Sequence, residues 1–111
     1  MKKTALIILV AALALPLSAE TWKGVSLMDA NCASKAEKMK DPDAHARSCA
    51  LQCAKGGYGA VVSVKFVKFD AKGNALAKEA LQKSEKKDHL RATVSGEMKN
   101  GEIHVSSLTL D

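Results

Sequence analysis

The chain has 111 residues, of which 47% are hydrophobic and 26% charged, and its formal net charge is +5. This length holds one domain and leaves too little chain for two. Basic and acidic residues are interspersed, and only 4% of the residues are aromatic. Single-strand nucleic-acid binding usually needs a basic surface with interleaved aromatic side chains, so we do not expect nucleic acid as a partner.

The first 19 residues have the layout of a secretory signal peptide. Two lysines precede an apolar run over residues 5–15, and Pro16 and Ala19 follow where a cleavage site belongs. We therefore predict a signal peptide at residues 1–19 and a single domain at residues 20–111. The apolar run is too short to span about 30 Å of hydrocarbon. The predicted protein is periplasmic or secreted, with no membrane span once the signal is cleaved.

The first half of the domain is predicted to hold one strand and one helix. Residues 21–28 alternate loosely between apolar and polar and indicate a strand. A charged segment follows, and helix-compatible residues then run from Pro42 or Asp43 to a stop at Gly56-Gly57. This pattern predicts a helix of about three turns.

Residues 60–70 give the clearest strand pattern in the chain. β-Branched and aromatic residues dominate the segment and predict one long strand, with Val62, Val64 and Phe66 on the same face. The sequence DAKGN at residues 70–74 then predicts a turn.

Residues 75–88 are predicted to form a second short helix, or a brief strand followed by a helix. In either case Leu76, Ala80 and Leu81 would face inward.

The end of the chain is predicted to be a β-hairpin. Asn100-Gly101 is the strongest short hairpin signal in the sequence, and Gly96 inside the first strand indicates a bulge. The residues expected on the buried face alternate along both strands: Leu90, Ala92, Val94, Ile103 and Val105.

This order of elements predicts an α+β, mostly β fold. The best match is a small five-stranded OB-like barrel, with a short cysteine-bearing helix between strands 1 and 2 and a short helix before the final hairpin. An open α+β sandwich is the alternative.

Five residues form a spaced motif of the type D-x-x-C followed by H-x(3)-C-x(3)-C. They are Asp29, Cys32, His45, Cys49 and Cys53. With a Val-rich strand and the closing pattern V-S-G-x(4)-G-x-I-x-V-S-S-L, the motif resembles a set of small secreted bacterial proteins. Those proteins look like OB-fold domains, so the resemblance implies the fold and no particular activity.

The number of cysteines, three, is odd. Disulfides are compatible with an exported protein, and at most one can form within the chain. We predict a bridge from Cys32 to either Cys53 or Cys49. The remaining thiol could also join two chains as a disulfide-linked dimer.

A metal site is the second interpretation of the motif. On a regular helix His45 and Cys53 would lie about 12 Å apart, too far for one ion with bonds of about 2.0 to 2.3 Å. A single zinc or copper ion would therefore use His45 with Cys49, or Cys49 with Cys53, and Cys32 as a further ligand. All four could join only if His45 lay before the helix and folded back.

Two further roles follow from the same residues. Asp29 would either cap the loop after the first strand or hold a metal ligand in place through a hydrogen bond. Cys49 could act as a reactive thiol with His45 as its base.

These patterns lead us to expect an exported, non-enzymatic OB-like binding module, stabilised by a disulfide, for an unidentified small ligand or protein. The sequence contains no Ser-His-Asp arrangement, no paired-carboxylate signature and no phosphate-binding loop, so no catalytic residues are predicted. The alternative is a periplasmic zinc- or copper-binding protein. Its ligands would be Cys32, His45, Cys49 and Cys53.

Overall fold

The computed structural model of the chain describes residues 19–111. The predicted signal peptide at residues 1–19 lies, apart from Ala19, outside the described residues. Within the described range, no helix is both long and apolar enough to cross a membrane.

In residues 19–111, five strands form one mixed sheet that closes in a ring in the order β1-β2-β3-β5-β4, with β4 returning to β1. Their bounds are β1 Ala19–Asp29, β2 Tyr58–Val62, β3 Lys65–Phe69, β4 Arg91–Lys99 and β5 Glu102–Leu110. Neighbouring strands are antiparallel except β3 and β5, which are parallel. The prediction of an α+β fold with five strands and short helices is confirmed at this level.

The first strand pairs on both of its sides, which allows the ring to close. Residues 26–29 of β1 pair with β2, and residues 19–26 pair with β4. The register with β4 shifts between Trp22 and Val25, and Gly24 within this shift has a φ of 61°. Glycine adopts that left-handed conformation without steric cost, and a bulge of this kind bends the strand.

The core fills the inside of the ring and is covered on one side by a helix. Its buried members are Leu27, Ala50, Tyr58, Ala60, Phe69, Ala77, Leu81, Leu90, Ala92, Val94, Ile103 and Val105. The alternation predicted for the final hairpin is confirmed in this set. The turn at Asn100-Gly101 has φ values of 51° and 78°, and the register of the hairpin shifts between Ser95 and Gly96, as the sequence indicated.

Three short α-helices and two 3-10 turns lie between β1 and β2. They are α1 Ala30–Ala33, α2 Ala36–Lys40, a 3-10 turn Pro42–Ala44, α3 Arg47–Gln52 and a 3-10 turn Ala54–Gly56. The predicted helix of three turns from Pro42 is therefore wrong. His45 and Ala46 have extended backbone, with ψ values of 122° and 144°, and they separate the first 3-10 turn from α3.

Tertiary hydrogen bonds explain this break in the predicted helix. The His89 amide donates to the Asp43 carbonyl at 2.8 Å, and the Arg47 amide donates to the Lys87 carbonyl at 2.8 Å. The segment around His45 is thus held on both sides by the chain that precedes β4. These contacts override a local helix preference that is worth only a fraction of a kcal/mol per residue.

The single long strand predicted at residues 60–70 is also wrong, because the chain reverses within it. Ser63 and Val64 form a two-residue turn between β2 and β3, with φ values of 49° and 60°. Val64 is 93% exposed and does not share a buried face with its neighbours. Turns of this geometry usually carry Asn or Gly, so the β-branched sequence concealed the reversal.

The turn predicted at residues 70–74 is instead the beginning of α4 Ala71–Lys83. Asp70 caps this helix, since its side chain accepts a hydrogen bond from the Gly73 amide at 3.0 Å. Of the residues expected to face inward, Leu81 is buried, whereas Leu76 and Ala80 are half-buried.

Candidate functional site

Asp29 is the last residue of β1 and the first polar group of the site. Its backbone pairs with Tyr58 across the sheet, and its Oδ2 accepts a hydrogen bond from the Cys32 amide at 2.9 Å. This bond caps α1, so capping is one of the two roles that the sequence suggested. The side chain has 0% of its surface exposed, and its second oxygen, Oδ1, points away from the cap.

The second group is His45, which is only 5% exposed. Its Nε2 lies 2.7 Å from Asp29 Oδ1. The two atoms are in direct contact, and neither makes a hydrogen bond to any other group in the described residues. Buried polar atoms almost always have a hydrogen-bond partner. An ion that entered between this nitrogen and this oxygen would be bound by both atoms.

Cys32 is the third group and is 7% exposed. One ligand atom each from Asp29, Cys32 and His45 lies within 4.8 Å of the others. Tetrahedral coordination with bonds of about 2.0 to 2.3 Å places ligand atoms about 3.3 to 3.8 Å apart. That range falls between the 2.7 Å contact of the Asp29–His45 pair and the outer limit of the cluster. Small side-chain movements would bring all three atoms onto one ion.

The electrostatic surroundings of Cys32 favour its neutral thiol in the ion-free protein. Burial, followed by the negative charge of Asp29, raises the pKa of Cys32 to about 11. A cation held between the two side chains would offset the cost of burying the thiolate and would neutralise the charge of the carboxylate.

Tyr58 links the site to α3. Its hydroxyl donates a hydrogen bond to the Ala50 carbonyl at 2.8 Å, and the side chain is buried. Burial, with the nearby charge of Asp29 as a smaller cause, raises the pKa of Tyr58. The hydrogen bond from the neutral phenol thus fixes the position of α3 relative to the end of β1, because Tyr58 pairs with Asp29 across the sheet.

A cleft of about 270 Å³ opens beside His45. It is lined by Glu37, Lys38, Asp41, Ala44, His45, Ala46 and Cys49. His45 belongs to both the buried cluster and the cleft wall, and Cys49 is exposed. The cleft is therefore the route by which a small solute can approach His45.

The structure brings three of the five motif residues together and separates the other two. Among residues 19–111, the group of potential ligands that converges consists of Asp29, Cys32 and His45. Cys49 lies at the cleft. Cys53 is half-buried, and its sulfur is 3.5 Å from the Asn31 side-chain amide.

Sequence reasoning missed the direct approach of Asp29 to His45. The D-x-x-C spacing was a usable signal, because an N-cap side chain and the residue three positions later lie on the same side of a helix start. The position of His45 carried no such signal, since it depends on contacts with the chain before β4.

All three cysteines are free thiols in the described part of the chain. The bridge from Cys32 to Cys53 or Cys49 therefore stays a prediction. The thiol–base pair of Cys49 and His45 also stays a prediction, although the Nε2 of His45 faces Asp29.

Neither a family model, nor a curated protein, nor a solved structure matches this chain. The resemblance to small secreted bacterial proteins thus stays a prediction, and the function must be argued from the site.

Proposed function

We propose that this chain is an exported OB-like binding domain whose ligand is a transition-metal ion, with zinc as the best match. The OB-like part is supported by the ring order β1-β2-β3-β5-β4, by the parallel pairing of β3 with β5, and by the helix α4 between β3 and β4. The proposed activity is binding of the ion and includes no catalytic step.

The observation that carries the proposal is the buried convergence of Asp29, Cys32 and His45. One oxygen, one sulfur and one nitrogen ligand suit zinc, which accepts all three in tetrahedral sites. Calcium and magnesium prefer oxygen ligands only, and copper(I) prefers sites richer in sulfur. The mixed set therefore favours zinc over the copper alternative.

Asp29 is well placed to act as a ligand because its carboxylate is already oriented. Its Oδ2 is held by the Cys32 amide, which leaves Oδ1 directed at His45 and at the space between the three side chains. Outer hydrogen bonds of this kind fix the geometry of metal ligands and commonly change affinity by about 10- to 100-fold.

Cys32 cannot serve the ion and the predicted disulfide at the same time. A zinc ligand must be a thiolate, whereas the bridge consumes the same sulfur. We propose that burial protects Cys32 from oxidation in the exported protein, so that the ion-bound form has three reduced cysteines. The disulfide would then belong to ion-free molecules only.

The test is a zinc titration of reduced, ion-free protein against a competing chelator. The variants are Cys32→Ser and His45→Gln, with Cys53→Ser as the matched control, because Cys53 is outside the cluster. We expect one ion per chain in the wild type, a loss of affinity of at least about 100-fold in the first two variants, and little change in the control. Equal affinity in Cys32→Ser and the wild type would contradict the proposal.

A further inference from the structure

We infer that Cys49 is the capture ligand of this site: its thiol takes the ion at the mouth of the cleft and becomes the fourth, exchangeable ligand beside Asp29, Cys32 and His45. This inference rests on the proposed metal-binding function. It adds the route of the ion and the residue that controls its exchange.

The first support is the difference in exposure between Cys49 and the three clustered residues. Asp29, Cys32 and His45 are buried, whereas Cys49 is exposed. A hydrated ion therefore cannot meet the three buried side chains before it has lost water. A hydrated zinc ion loses its bound water more readily when a protein ligand takes the place of each water molecule that leaves. An exposed thiolate provides the first such ligand.

The second support is that Cys49 and His45 line the same cleft. This cleft has a volume of about 270 Å³, and the buried Nε2 of His45 contacts Asp29 and makes no hydrogen bond to any other group in the described residues. An ion carried by Cys49 would thus reach the side of the cleft that His45 forms, and it would bind Nε2 by entering between this nitrogen and Asp29 Oδ1, which lie 2.7 Å apart.

The third support is the charge of the cleft wall. Glu37 and Asp41 line the cleft together with one cation, Lys38, so the lining carries a net negative charge. Carboxylates around an opening attract divalent cations and raise their local concentration. The position of Cys49 is also fixed, because the Tyr58 hydroxyl anchors the next residue, Ala50, through its carbonyl.

Coordination proceeds without electron transfer. The Cys49 sulfur binds zinc as a thiolate and displaces one water, and any proton that it carried passes to solvent. The Asp29 oxygen, the His45 Nε2 and the Cys32 sulfur then displace the remaining waters. The Cys32 proton also passes to solvent, and His45 binds as the neutral ring with its proton on Nδ1. The product is a four-ligand site with two thiolates. Release to an acceptor is the same sequence in reverse.

Cys53 provides the matched control for Cys49. It lies four residues further along the chain, it is half-buried, and it is not among the residues that line the cleft. Removing its sulfur changes the cysteine count as much as removing that of Cys49, without touching the proposed route.

The experiment measures zinc transfer from a chromophoric chelator to the ion-free protein by stopped flow, in the wild type, Cys49→Ser and Cys53→Ser. It is paired with the thiolate-to-cobalt absorption of the Co²⁺-loaded proteins. We expect Cys49→Ser to slow zinc uptake by at least about tenfold and to lower the cobalt absorption to about that of one thiolate. Cys53→Ser should match the wild type in both readouts.

Wild-type rates together with a wild-type cobalt spectrum in Cys49→Ser would overturn the inference and leave the proposed function standing. A wild type that binds neither ion would overturn both. If Cys49→Ser does not fold, the same measurements are made on folded Cys53→Ser protein whose exposed Cys49 has been blocked with a small methylthiolating reagent. The expected and the contradicting results are then unchanged.

Discussion

Cys32 and Cys49 differ in their surroundings, and the difference sets the order in which they react. Burial and the charge of Asp29 raise the pKa of Cys32 to about 11, so on the order of 0.1% of it is thiolate at pH 8. Cys49 is exposed. We expect iodoacetamide to modify Cys49 well before Cys32 in ion-free protein at pH 8, as followed by peptide mass spectrometry. Labelling of Cys32 as fast as Cys49 would contradict the burial on which the site depends.

Asp43 and Arg91 form the ion pair that braces the segment before His45. The guanidinium reaches both carboxylate oxygens, at 2.6 and 3.0 Å. The hydrogen bond from Arg91 holds the pKa of Asp43 below its ordinary value. A lowered carboxyl pKa stabilises the fold above the unfolded-state value of about 4, and this contribution is lost as the pH falls through the lowered pKa.

We therefore expect Asp43→Asn to lower the free energy of unfolding at pH 7 and to have a much smaller effect near pH 2. Urea denaturation at the two pH values measures this difference. Glu79→Gln is the control, since it removes an exposed carboxylate that pairs with Lys83 on the same helix. An exposed ion pair of this kind contributes little to the free energy of unfolding. An effect of Asp43→Asn that is equal at both pH values would contradict the account.

At the scale of elements, α4 approaches the sheet through a glycine. A Cβ atom at Gly73 would lie 2.6 Å from a Val105 methyl carbon and 2.7 Å from the Phe69 Cβ. Gly→Ala inside a helix ordinarily stabilises by about 0.5 to 1 kcal/mol, but here the clash with two buried side chains reverses the sign. We expect Gly73→Ala to lower the free energy of unfolding by about 1 to 3 kcal/mol.

Chemical denaturation checks this prediction. Lys72→Ala is the control on the same helical turn, because Lys72 is exposed, and it should change stability by less than about 0.5 kcal/mol. A Gly73→Ala variant that is more stable than the wild type would show that α4 does not pack as closely as described.

The elements that could be predicted from the sequence are those whose signals are local. The turn at Asn100-Gly101 requires positive φ angles, which these two residues adopt readily. The buried residues of each hairpin strand, such as Val94 in β4 and Ile103 in β5, recur with the two-residue period of a strand. Ser63-Val64 makes a similar reversal, but Val64 is a residue that favours extended backbone. The sequence therefore predicted one strand where the structure has the hairpin of β2 and β3. The capping role of Asp70 was likewise hidden inside a turn-like sequence.

At the scale of the whole molecule, the site depends on contacts that join distant parts of the chain. Asp29 and Cys32 are placed by β1 and α1, whereas His45 is placed by backbone bonds to the chain before β4. The motif spacing alone identified the residue types. It could not show that His45 leaves the helix, and this displacement is what brings its ring to Asp29.

The proposed ion would join these distant parts directly. It would connect the end of β1 with the segment that precedes α3, and binding to the folded state alone would stabilise the fold. We therefore expect the reduced, ion-bound protein to be the functional form.

Native mass spectrometry of the reduced protein after addition of one equivalent of zinc tests this proposal most directly. The account predicts a mass increment of one zinc ion in the wild type and in Cys53→Ser. The increment should disappear on denaturation and, with a competing chelator present, should be greatly reduced in Cys32→Ser and His45→Gln. A wild type without the increment, or an increment in Cys32→Ser equal to that of the wild type under the same competition, would contradict a zinc site built from Asp29, Cys32 and His45.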